Sequence, residues 1–93
     1  MQNLVPDNPV SKKEKLRLRF LSRPSDLTWD EFVQVLALYG FQEQPNSGSS
    51  HRMFMNSEKK KISGMVKPHG NKLVKKYLIE EAIEQLRNLG LDI

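Results

Sequence analysis

Residues 28–39 carry the clearest pattern in the chain. Phe32, Val33, Val35, Leu36 and Tyr39 recur at helical spacing and give one apolar face. Thr28 and Glu31 stand where an N-cap and its reciprocal partner belong, and Asp30 and Glu31 suit the positive end of a helix dipole. Gly40 follows as a natural stop. A second helical seam runs through residues 72–88. Val74, Leu78, Ala82 and Leu86 trace it toward Leu89, Tyr77, Ile79 and Ile83 widen it, and Gly90 ends it. Between the two helices the period shortens to two. Residues 41–44 begin a short strand, and the polar, Gly-containing stretch 45–49 is a loop. In 50–55, His51, Met53 and Met55 alternate with Arg52 and Phe54, which predicts a strand with the two methionines in the core. After a polar turn at 56–60, residues 61–66 are extended again, with Ile62, Gly64 and Val66 on one face. Gly64 there marks a bulge or a close approach. Pro68 and Gly70 make 67–71 a loop.

The first residues are less strongly patterned. Leu16 and Phe20 fit a helix, whereas Leu16, Leu18 and Phe20 fit strand alternation. The capping-box spacing of Ser11 and Glu14 favours a short helix over 12–22. Residues 1–10, with Pro6 and Pro9, read as a flexible leader. The expected architecture is therefore α+β: a small two-layer domain of order α-β-β-β-α with an extra N-terminal helix. Its helices cover one sheet face and leave the other to solvent or a partner. The chain divides into a leader with its added helix, 1–24, and a compact unit, 25–93.

Composition narrows the function. A chain of 93 residues holds one domain at most, and with no Cys it has neither a disulfide nor a cysteine-bound zinc. His51 and His69 are the only histidines, a poor supply for a metal centre, so neither metal nor cofactor is expected. No apolar run is long enough to span a membrane, and no secretory signal pattern opens the chain, so the expected location is the cytoplasm. The net charge of +4 hides an uneven distribution. Residues 52–76 hold eight Lys and Arg against Glu58 alone, and residues 11–23 hold six against Glu14. The remainder holds Arg87 against nine Asp and Glu. Such basic blocks attract nucleic acid, because neutralising phosphates releases counterions, but exposed lysines also serve simply to keep a surface solvated.

The residue with the most chemical potential is His51, which follows the flexible loop and precedes Arg52. An imidazole titrates near neutrality, so it can take a proton from an RNA 2′-hydroxyl or give one to a leaving 5′-oxygen. Nearby cations would stabilise the charge on phosphorus without a metal. A packing or surface role for a lone strand histidine stands beside that reading. His69, with Lys67 and Lys72, can hold a phosphate near the amides that open the last helix, or can simply be a turn residue. Trp29, Tyr39 and Tyr77 lie at helical spacing with apolar neighbours and are assigned to packing rather than to base stacking.

The motif order resembles the HicA family, the toxin half of HicA–HicB toxin–antitoxin systems. The resemblance rests on the helix from Thr28-Trp29 to Tyr39-Gly40-Phe41, on Gly48-Ser49-Ser50-His51 leading into Arg52-Met53-Phe54, and on Pro68-His69 and Lys72 before an amphipathic helix ending in Leu89-Gly90-Leu91. It covers about residues 27–91. Ser49 stands where the family has glycine, with Gly48 one position earlier. The resemblance implies a fold like a double-stranded RNA-binding domain and metal-independent endoribonuclease cleavage of mRNA. It implies His51 as the catalytic residue, with Ser50, Arg52, Lys67, His69 and Lys72 assigned to RNA binding. It also implies a HicB-like antitoxin as protein partner. A non-catalytic RNA-binding module on the same fold, and a purely protein-binding domain, are the two rivals.

Overall fold

The computed structural model describes residues 11–93 except 47 and 71; the leader expected at 1–10 lies outside the described residues. Helix α1 spans Lys12–Leu21, α2 Trp29–Leu38 and α3 Lys76–Asn88; strands β1 (Gln42–Glu43), β2 (His51–Met55) and β3 (Lys61–Val66) lie between α2 and α3. The strands form one antiparallel sheet in the order β1-β2-β3. The result is the expected two-layer α+β arrangement, α-β-β-β-α preceded by one helix.

Helix α2 starts as its sequence dictates. The Thr28 hydroxyl accepts from the Glu31 amide at 3.1 Å, and the Glu31 carboxylate accepts from the Thr28 amide at 2.9 Å. In α1 only half of that box forms. Ser11 Oγ accepts from the Glu14 amide, but the Glu14 carboxylate turns to Arg17, one turn along, instead of back to the cap. That ion pair holds the Glu14 carboxyl below its ordinary range, chiefly through the Arg17 hydrogen bond.

The core joins all the layers. Phe20 of α1, Phe32 of α2 and Phe54 of β2 are fully buried, and Trp29 packs on Phe32 and Phe54 with ring centroids 5.2 and 6.0 Å away. The Phe32 and Phe54 rings meet edge to face at 6.1 Å. Leu36, Phe41, Ile62, Met65, Ile79 and Leu86 complete the seal between helices and sheet. Trp29 is thus a packing residue, as its spacing implies.

Three expectations are corrected. First, in β2 it is Phe54, not Met53 and Met55, that enters the core; the methionines are half-buried on the opposite face. Second, the inward residues of β3 are Ile62 and Met65, rather than Ile62, Gly64 and Val66. The reason is a β-bulge. Arg52 pairs with Met65 and Phe54 with Ile62, so Ser63 and Gly64 together oppose Met53. Gly64 supplies the φ of +76° that this insertion needs, and it restores the inward face one residue later. Third, α3 begins at Lys76, not at residue 72. The Val74 amide donates to the Leu27 carbonyl at 2.8 Å, and Val74 is buried there in extended chain. That tertiary contact outweighs the helix propensity of the Lys-rich segment.

Strand β3 is a sheet edge, and α3 runs beside it. The Gln85 side chain spans the gap. Its carbonyl accepts from the Ser63 amide and its amino group donates to the Ser63 carbonyl, both at 3.0 Å, so it behaves like a neighbouring strand. No helix among the described residues is long and apolar enough to cross a membrane.

Candidate functional site

The open end of the β2–β3 ladder carries the residues singled out from the sequence. His51 pairs with Val66 at the last rung, and the Lys67 amide donates to the Ser50 carbonyl at 2.8 Å one step beyond. Alternation then sends neighbouring side chains to opposite faces. Arg52 shares the helix-covered face with Phe54 and is half-buried, whereas His51 is exposed on the outer face.

The loop before His51 is built by short-range polar contacts. Asn46 is the hub: its side-chain carbonyl accepts from the Gly48 amide at 2.8 Å, and its amino group donates to the His51 carbonyl at 2.8 Å. The Ser49 hydroxyl accepts from the His51 amide at 3.0 Å. Both backbone polar groups of His51 are thereby tied into the loop that precedes it. Gly48 takes a φ of +104°, a conformation that suits glycine, and this explains why the glycine sits one position earlier than the family spacing leads one to expect. Motif matching does not single out Asn46 or Ser49 for these roles. The Asn46–Gly48 spacing is the signal for such a turn.

Ser50, Arg52, Lys67 and His69 line one groove of about 460 Å³ together with Ser49 and Pro68. Lys72 lines an adjoining groove of about 340 Å³ with Thr28, Trp29 and Asp30, and the two grooves share Lys67 and Gly70. Five of the six residues proposed from the sequence therefore face one connected basic trough. His51 is not on its wall. It stands at the rim, between Ser50 and Arg52, with its ring on the other side of the ladder. His69 and His51 accordingly do not share a cavity.

The cations of the trough differ in freedom. Arg52 reaches Glu43 at 3.4 Å, and its Nε is buried without a hydrogen-bond partner, so its charge is partly engaged inside the protein. Lys67 and Lys72 are exposed. The late start of α3 also revises the electrostatics of this region. The helix begins at Lys76, four residues past Lys72, so its first amides lie farther along the chain from His69 than the sequence pattern suggests. Tyr77, assigned to packing from its spacing, is instead 59 % exposed. It falls outside the seam because Leu78, Ile79, Ala82 and Ile83 supply the buried stripe.

The family model of the HicA toxin of bacterial toxin–antitoxin systems matches residues 29–88, from the first residue of α2 to the last of α3. Helix α1 precedes the matched segment. No curated protein and no solved structure matches the chain. The match spans more than half of the sequence and covers every element that shapes the trough and carries His51, so this chain belongs to the HicA family, the toxins of bacterial toxin–antitoxin systems.

Proposed function

We propose that this toxin is a metal-independent endoribonuclease that acts on mRNA in the cytoplasm, with His51 as general acid/base. The observation that carries the reading is the position of His51. It is an exposed imidazole whose backbone is tied on both sides to the Asn46–Ser49 loop, at the rim of a trough lined by Arg52, Lys67 and His69. Phosphates lying in the trough bring the next phosphodiester of the strand past the rim and toward the imidazole.

The step needs no group beyond the RNA itself. The 2′-oxygen attacks phosphorus, the P–O5′ bond breaks, and a 2′,3′-cyclic phosphate and a 5′-hydroxyl result. One proton leaves the 2′-hydroxyl and one arrives at O5′, so the reaction is neutral overall. Neutral His51 accepts the first or, once protonated, delivers the second. Lys67, aided by Ser50, Lys72 and His69, holds the flanking phosphates, and Arg52 adds charge at the groove wall. The antitoxin silences the enzyme by covering His51 and the trough, and an acidic surface on it would make association fast and salt-sensitive.

The test is expression of the toxin without its antitoxin, in wild-type and His51→Ala forms. Wild type should arrest growth and shorten mRNA half-lives, and a folded His51→Ala protein should do neither. Arrest by His51→Ala at equal protein level would point instead to a non-catalytic RNA-binding module.

A further inference from the structure

We infer that Tyr77 and the apolar surface around it form a shelf on which an unpaired RNA base stacks beside His51; the inference rests on the RNA-cleaving reading above. Tyr77 is 59 % exposed and Leu73 41 % exposed, an unusual outlay of large apolar side chain on a basic surface. Single exposed apolar residues are ordinary. Here they are contiguous: Val66, Pro68, Leu73, Lys75 and Tyr77 line one small depression of about 50 Å³ floored by the buried Leu78.

The ladder register links this depression to the proposed catalytic residue. Val66 is the partner of His51 across the last rung, and directly paired side chains project from the same sheet face. Val66 thus neighbours His51 across the rung and shares the depression with Tyr77 of α3. Charge selects the occupant. Lys67, Lys72, Lys75 and Lys76 outnumber Glu80 and Glu81, the acidic residues one helical turn beyond Tyr77. An exposed aromatic ring beside Lys75 matches one nucleotide unit, a π-face next to a phosphate. A duplex hides its base faces, so the ligand is single-stranded RNA. The trough would hold phosphates, and the shelf, which adjoins it at Pro68, would hold a base near the scissile bond.

The experiment uses the full chain carrying His51→Ala, so that bound RNA stays intact. Its affinity for a fluorescently labelled single-stranded RNA is measured by anisotropy, with Tyr77→Ala and Tyr77→Phe added in turn. The expected result is binding weakened on the order of tenfold to a hundredfold by Tyr77→Ala and restored by Tyr77→Phe. The salt dependence should be the same in all three, because no charge is removed. Tyr77→Ala with unaltered RNA affinity, alongside a Lys67→Ala protein that binds weakly, would overturn the shelf and leave the nuclease reading standing. A Tyr77→Ala protein weakened only in its antitoxin complex would overturn the shelf in the same way. Failure of the parent His51→Ala protein to bind RNA even at low salt would overturn both.

Discussion

Replacing Phe20 with alanine asks whether α1, which precedes the segment matched by the family model, is part of the folding unit. The Phe20 ring is fully buried, 6.2 Å from the Phe32 ring and 6.4 Å from that of Tyr39. Truncating such a ring in a close-packed core costs about 3–5 kcal/mol, the lost transfer energy plus the cavity left behind. A domain of this size has a total stability of about 5–14 kcal/mol, so the variant should lose a large share of it. At about 4–8 °C per kcal/mol, the melting temperature should drop by roughly 12–40 °C. Urea titration reads this directly. Trp29 is the single tryptophan and sits in the aromatic cluster, so its fluorescence reports the core while far-ultraviolet circular dichroism reports the helices. Leu18→Ala on the same helix is the control. Leu18 is 49 % exposed, and the change should stay within about 0.5 kcal/mol. A Phe20→Ala loss below about 1 kcal/mol would contradict this picture, since it would mean that α1 contributes nothing to the core it touches.

Glu31 links pH to stability. Its carboxyl is held below the ordinary range, first by the Thr28 backbone hydrogen bond and also by Arg19, whose guanidinium lies 3.2 Å away. A lowered folded-state value means that this stabilisation is complete above the unfolded carboxyl value, about 4.3, and is lost as pH falls through the folded one. Glu31→Gln should therefore cost about 0.3–1 kcal/mol at pH 7 and nothing at the acid end of a urea-melt series; a gap that persists there would contradict the assignment. Gly48→Ala meets no crowding, yet it forces a side chain into a φ of +104°. It should cost about 1–2 kcal/mol and slow RNA cleavage per folded molecule, and an unchanged rate would show that the loop does not position His51. Lys67→Ala should weaken RNA binding uniformly across sequences and lower the slope of log affinity against log salt by about 0.7 for a single strand, as measured by anisotropy.

The fold was readable where one residue decides a local structure. Thr28 with Glu31 announces a helix start, and Gly40, at φ +92°, announces its end. Elsewhere the deciding partner is distant in sequence. Period-two alternation in residues 61–66 names the wrong face after Ile62, because the bulge at Ser63–Gly64 adds a residue; Gly64 signals it in the sequence, and the pairing with Met53 fixes its effect on the register. The start of α3 depends on Leu27 capturing the Val74 amide, a contact separated by most of the domain. The site divides in the same way. Ser50, Arg52, Lys67 and His69 are recognisable as a basic, turn-rich constellation, and they do meet in one groove. That His51 stands across the ladder from that groove, next to Val66, follows from register, which residue types alone do not encode.

If His51 drives RNA cleavage through the substrate's own 2′-hydroxyl, the ends of the fragments carry the record. They are read most directly when purified toxin cuts single-stranded RNA in excess EDTA. Wild type should leave fragments ending in 2′,3′-cyclic phosphate and 5′-hydroxyl, and His51→Ala should leave the RNA intact. Cleavage that stops in EDTA, fragments bearing 5′-phosphate, or equal cutting by a folded His51→Ala protein would contradict that role for His51.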